Sequence, residues 1–360
     1  MMGRAAEQVG VMKKVLLAVC LMIVGGIAAA SLWLIYRPGL IEAAPVVYQT
    51  VLGTPQPHSA KEDPPGLALD LVFDDSRDRL FSRQVNGTIR LWSLAGGQPR
   101  SLAQTDGLFA FCPEKQRLLL TQNGTVQLLE IGTNVSRPFT DGPFRYGAWD
   151  EDCDRVAIAH EDTREVELWD GEKGSLLAKG ETTMPVRNGL ALSDDGVLIA
   201  AATGRYTDQS EHVTAVQLFQ ASAEGRLTDT ISYGQDYGIL GLWRLIITPR
   251  AQGLLVGSQS DGRSGLMRLS TMEEKVAWRH DGFASYWVRA LAVSSTGDLL
   301  ATGDEKGFLR LWNARSGEKL YEGQSGLVIQ SLDFSADGSK LAVGLWNSTI
   351  GIVDVTGLVH

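Results

Sequence analysis

Residues 289–322 read RALAVS (289–294), STGD (295–298) and LLATG (299–303), then FLRLW (308–312) and EKLYE (318–322). Short apolar runs broken by turn residues are the signature of strands, and no helical 3.6-residue period runs through them. The same order appears early in the chain, as Leu71-Val72-Phe73, a turn at Asp74–Asp78, and Gly87-Thr88-Ile89-Arg90-Leu91-Trp92. Aligning the third strands puts Trp92, Leu129, Trp169, Phe219, Ser270, Trp312 and Val353 at equivalent places, at intervals of 37, 40, 50, 51, 42 and 41 residues. Seven four-stranded units at such a period close into a radial array of small sheets. The predicted fold is all-β: a seven-bladed β-propeller of four-stranded antiparallel blades over residues 67–357, preceded by one N-terminal transmembrane helix.

Composition agrees. A chain of 360 residues with 44% hydrophobic and 21% charged residues holds a large core and is not disordered. Forty glycines against twelve prolines indicate many tight turns. The net charge of −9 speaks against a nucleic-acid partner.

Val15 to Tyr36 is uncharged and, at ~1.5 Å per residue, spans about 33 Å, enough to cross a hydrocarbon core. Residues 1–14 are then an N-terminal tail and 15–36 a transmembrane helix or uncleaved signal anchor. Arg4, Lys13 and Lys14 favour an N-inside orientation, which places the propeller on the extracytoplasmic, periplasmic side. The competing reading is a cleaved signal peptide with Ala28-Ala29-Ala30 as its small residues. The apolar run continues through Leu32–Ile35, longer than a usual signal core.

Leu91-Trp92-Ser93, Leu168-Trp169-Asp170 and Leu311-Trp312-Asn313 resemble the third-strand ending of WD-repeat β-propellers. Ser193-Asp194-Asp195-Gly196 and Ser335-Ala336-Asp337-Gly338 resemble that family's first hairpin turn. The repeats are degenerate: among these third-strand endings only Trp169-Asp170 is a literal Trp-Asp pair, and no Gly-His dipeptide occurs. The family's Asp-His-Ser/Thr-Trp hydrogen-bond network is therefore expected to be mostly absent, with His280 the one histidine near a matching position. A related extracytoplasmic propeller with degenerate repeats is the alternative family. The resemblance implies protein–protein interaction as the usual role.

The seventh unit lacks room for a fourth strand after Val355. The linker 37–66 contains the β-rich run 46–51, which is expected to close the ring by pairing onto that unit and removing its exposed edge. Cys112 and Cys153 fall at the first turns of adjacent units. They could pair across blades in an oxidising compartment or stand as two thiols, and spacing alone leaves both open. Asp150–Asp154 has carboxylates at alternate positions but lacks the glycine and distal glutamate of a calcium loop, and reads as a turn. No catalytic or phosphate-binding motif occurs, and the five histidines show no metal-ligand spacing. No cofactor, metal or catalytic residue is expected.

The opening residues of the first strands read Arg145, Arg187, Arg244, Arg289 and Gln330 in units 3 to 7, a basic ring within an acidic chain. Phe144, Tyr146, Trp243, Tyr286 and Trp287 stand beside them, and arginine with tryptophan or tyrosine is hot-spot composition. The opposing reading pairs each arginine with a neighbouring carboxylate. Units 4 and 5 carry extra residues at 204–212, 232–242 and 258–265, which include Tyr206, Tyr233 and Tyr237 and read as long loops on the same face. The expected function is a membrane-tethered, non-enzymatic scaffold or assembly subunit. Its protein partner, acidic at the docking surface, would meet Arg145, Arg187, Tyr206, Tyr237, Trp243, Arg244, Trp287 and Arg289. The alternative is a propeller that binds an anionic small ligand, or acts as an enzyme, in its central funnel.

Overall fold

Seven sheets, six of four strands and one of five, follow one another as blades along the chain in a computed structural model that describes residues 44–53, 55, 66–160, 163–206, 212–237, 242–260, 263–281 and 287–359. Segment 15–36 lies outside these residues, and no described helix is long and apolar enough to cross a membrane. Blade 1 runs through Ala68–Asp74, Arg79–Gln84, Thr88–Ser93 and Arg100–Gln104, from the channel outward. Blades 2 to 6 begin with the strands Phe109–Cys112, Phe144–Trp149, Val186–Leu192, Leu242–Ile247 and Val288–Val293. Ile329–Phe334, Lys340–Leu345 and Ile350–Asp354 begin blade 7, and its fourth strand is Thr50–Leu52.

Sequence pattern explains the layering. Second strands such as Arg155–His160 are buried along their middle four residues, because both of their faces meet neighbouring blades and a continuous apolar run fills both. The outer strand Val276–Asp281 alternates half-buried and exposed, as a half-covered sheet face must. The Asn123-Gly124 hairpin has φ of 52° and 75°, the left-handed pair that this dipeptide supplies.

The closing strand is shorter than the expected 46–51. Thr50, Val51 and Leu52 pair with Ile352, Gly351 and Ile350, and Gln49 N donates to Ile352 O at 2.7 Å. Val46 instead donates to Gln324 O at 3.0 Å on the outer strand of blade 6 and packs into the blade 6–7 core.

The alignment of unit 5 also shifts. Leu254 pairs with Leu269, as Leu300 pairs with Trp312 and Leu80 with Trp92. Leu269 is therefore the equivalent residue, fully buried, and Ser270 lies one position beyond, its hydroxyl accepting from Met272 N and Glu273 N. Two long units in succession had hidden the slip.

Half of the network expected to be missing is present. Trp92 Nε1 donates to Ser82 Oγ at 2.8 Å and Trp312 Nε1 to Thr302 Oγ1 at 3.0 Å, both buried. His280 meets Gly317 O of the next blade at 2.6 Å and stacks 5.1 Å from the Trp312 ring. Arg310, almost fully buried, bridges Asp304 and Glu322 at 2.7 and 2.6 Å, which neutralises a charge that the core could not hold alone.

Turns joining first and second strands lie together on one face, here called the turn face. Cys112 and Cys153 are bonded there, with Cα atoms 6.0 Å apart, joining blades 2 and 3. Both are buried. Asp150 is a turn cap: its carboxylate accepts from Arg155 N at 2.9 Å, and desolvation holds it above the ordinary carboxylate range against that bond. No group of three or more metal-ligating side chains occurs among the described residues.

Candidate functional site at the channel mouth

The opposite face carries the openings of the first strands. Their register against the second strands slips there in six blades, between Ala68 and Asp70, Phe144 and Tyr146, Val186 and Leu190, Leu242 and Arg244, Val288 and Ala290, and Ile329 and Ser331. A bulge leaves one residue unpaired and re-aims its side chain. The residues so placed are Leu69, Arg145, Trp243, Arg289 and Gln330, with Arg187 inside the wider slip of blade 4. Arg244 does not share their place. It stands one residue further in, level with Asp70, Tyr146 and Ala290, because the bulge of blade 5 falls on Trp243.

That single step changes what Arg244 does. Its Nε donates to Arg289 O of blade 6 at 2.9 Å, and its Nη2 reaches Leu69 O of blade 1 at 3.5 Å. The side chain thus crosses the mouth from blade 5 toward blade 1. Desolvation is the largest influence on it and pulls the guanidinium below its ordinary value; Asp70 opposes this, while Arg83 and Arg289 reinforce it.

Asp70 and Glu305 at the mouth each have a partner. Arg83 Nε donates to Asp70 Oδ2 at 2.6 Å, and Arg289 Nε to Glu305 Oε1 at 2.9 Å. The Arg289 guanidinium lies 5.4 Å from the centroid of the Trp287 ring and 5.5 Å from that of Trp346, a cation–π arrangement spanning blades 6 and 7. Arg145 is exposed and Arg187 half-buried.

The remaining expected residues divide. Trp243 and Tyr206 lie in strands, but their side chains are outside the described residues. Tyr237 does not join the mouth. Its hydroxyl donates to Glu274 Oε2 at 3.1 Å, and its ring meets Tyr233 edge-on at 4.9 Å, on the flank between blades 4 and 5. Tyr233 is core: it is fully buried, bonded to the carbonyls of Ser270 and Glu273. The extra length of unit 4 forms strand rather than loop, in Leu198–Tyr206 and His212–Ala221. Positions 207–211, 238–241 and 261–262 are not described.

Asp70, Arg83, Glu305 and Trp346 were not anticipated. The first two were findable, since they face each other across the first hairpin once its register is drawn. Glu305 and Trp346 share one place, each nitrogen donating to the residue before the first strand of its own blade (Trp287 and Val328).

Comparison with known proteins gives a matching picture. Residues 277–313 match the model of the WD domain, G-beta repeat. The chain is 28% identical over 197 residues to SVP1-like protein 2 of Neurospora crassa, covering 50% of this chain and 44% of that protein. It is 28% identical over 110 residues to a quinoprotein alcohol dehydrogenase of Pseudomonas putida (27% of this chain, 18% of that protein). A quinoprotein ethanol dehydrogenase of Pseudomonas aeruginosa is 27% identical over 116 residues, covering 31% of this chain and 17% of its own. The chain thus spans less than half the length of each of these relatives. One matched repeat and a seven-bladed ring together support a WD-repeat-like β-propeller.

Proposed function

We propose that the chain is a membrane-tethered, non-enzymatic scaffold that docks another protein on its channel-mouth face. The observation that carries this is the mouth itself, where Arg83, Arg244 and Arg289 converge and, among the described residues, pair with Asp70 and Glu305, with Trp287 and Trp346 at the rim. Arginine and tryptophan are the residues on which interface energy concentrates. The bond between Cys112 and Cys153 supports an oxidising compartment, in keeping with an anchor at 15–36 and a periplasmic propeller.

To test it, a photocrosslinking residue is placed in the full-length chain in cells at position 145 on the mouth or 337 on the turn face. Adducts of defined mass at 145 and none at 337 are expected; equal adducts, or adducts at 337 alone, overturn the reading. A second reading, an enzyme or ligand-binding funnel, is favoured by the partial likeness to two quinoprotein dehydrogenases. Alcohol-dependent reduction of an artificial electron acceptor by the purified chain would establish it.

A further inference from the structure

Within the docking reading, on which this inference rests, the mouth arginines are not equivalent. Arg83 and Arg289 each hold a carboxylate, at 2.6 and 2.9 Å. Arg244 holds two main-chain carbonyls and, among the described residues, no carboxylate within ion-pair distance. The nearer bond, Nε to Arg289 O at 2.9 Å, fixes the plane of its guanidinium. The Nη1–Nη2 edge is left with one long contact, to Leu69 O at 3.5 Å. A carboxylate reaching that edge would exchange a long neutral contact for a charge-assisted pair, which is about twice as strong, without disturbing either existing ion pair.

We propose that Arg244 is a carboxylate receptor set across the channel mouth, and that the docking partner presents to it an aspartate or glutamate side chain at the tip of an extended segment. Charge points to a short acidic tip rather than a polyanion. Arg83, Arg244 and Arg289 converge at the mouth, but the chain as a whole is −9 and repels an extended negative surface. The Trp287 and Trp346 rings beside Arg289 supply apolar area for the backbone and stem of such a segment. The same site chemistry explains the lowered proton affinity of Arg244: burial among other arginines disfavours its charge until an anion arrives.

The test uses the full-length chain carrying nitrogen-15 arginine, titrated with a blocked hexapeptide containing two adjacent glutamates. Its diglutamine counterpart and free glutarate are the comparison probes. The Arg244 side-chain resonance, assigned by its loss in Arg244→Lys, is expected to shift saturably with the glutamate peptide. Binding should be at least ~10-fold tighter than for the glutamine peptide or glutarate, and several-fold weaker in Arg244→Lys, which cannot form the two-pronged pair. Equal response to both peptides, or no response at Arg244, overturns the proposal. Glutarate as tight as the peptide also overturns it, since the ligand would then be a free small carboxylate. Should Arg244→Lys fail to fold, triple-resonance assignment of Arg244 in the wild-type chain keeps the peptide pair decisive. Crosslinks at position 145 without an Arg244 response would leave docking standing and remove only this receptor. An Arg244 response without crosslinks would do the reverse.

Discussion

The two faces of the ring use polar groups in opposite ways. On the turn face, polar side chains reach from one blade to the next. Arg79 donates to Gln116, Lys115 pairs with Asp154, and Arg155 Nη1 donates to Gly196 O at 3.1 Å. Arg250 N donates to Asp194 Oδ2 at 2.8 Å, Ser295 Oγ to Ala336 O at 2.5 Å, and Ala336 N to Asp75 Oδ2 at 2.5 Å, which carries the chain of contacts across the closure between blades 7 and 1. At the mouth, Asp70–Arg83 and Arg289–Glu305 each lie within one blade, and Arg244 takes carbonyls alone. Charged side chains thus link neighbouring blades on the turn face, whereas the ion pairs described at the mouth stay within a blade and Arg244 crosses it to carbonyls.

The strongest way to break this contrast is to cut the seam. Replacing Cys112 and Cys153 by serine should cost about 4 kcal/mol, the loop entropy of a 41-residue separation. Denaturant unfolding with and without reductant measures it. Because both sulfurs are buried at the turn face, ligand titrations at the mouth should not change. Loss of mouth binding in that variant would mean that the faces are coupled.

Next in size is Leu269→Ala, which empties a fully buried site and should cost about 3 kcal/mol. Ser270→Ala removes only a turn cap and should cost about 1 kcal/mol. The reverse order would restore the original alignment of blade 5.

Another effect depends on pH. Asp333 in the first strand of blade 7 accepts from Phe73 N of blade 1 at 2.7 Å, and burial pushes its carboxyl up to about 7. The Phe73 and Phe334 amides lower it, while the Asp75 carboxylate raises it further. A folded pKa above the unfolded one gives stability that is complete below about pH 4 and is lost as pH rises through about 7. Asp333→Asn keeps the acceptor and cannot ionise, so it should be more stable than the wild type at pH 8, by up to about 4 kcal/mol, and nearly equal to it near pH 4. Parallel melting curves from pH 4 to 8 for the two proteins would show that the seam does not sense this carboxyl.

How much of this was legible in the sequence follows from what each feature is made of. Leu-Trp-Ser, Leu-Trp-Asp and Leu-Trp-Asn fixed three of the seven repeats together with their spacing, because packing between blades demands the same large side chain each time. Bulges are backbone events with no residue signature, so Arg244 looked like Arg289 until register separated them. Ser270 was aligned for the same reason: in a unit lengthened on both sides, counting residues cannot say where the strand stops. The Cys112–Cys153 bond needed a distance between blades that no spacing supplies. Tyr233 looked like a loop aromatic because the turn it caps, at 270–275, belongs to the next blade.

The least perturbing change sharpens the comparison most. Charge reversal of one arginine on each face asks whether the polar groups there hold the ring or face outward. Arg155→Glu removes the donor to Gly196 O and sets a carboxylate beside the partly desolvated Asp150, so it should cost about 2 kcal/mol. Arg145 is exposed on a bulge that already lies outside the strand ladder, where a surface contact is worth about 1 kcal/mol or less, so Arg145→Glu should cost less than Arg155→Glu. Its effect belongs to association. Removing positive charge at the rim should slow the on-rate for an acidic partner about tenfold at low salt, and the difference should shrink as screening shortens the field. Stopped-flow association with the crosslinked partner, at 0.05 and about 0.5 M salt, reads this directly. An Arg145→Glu variant that unfolds as readily as Arg155→Glu would show that the mouth face, too, is sewn, and the contrast between the faces would be lost.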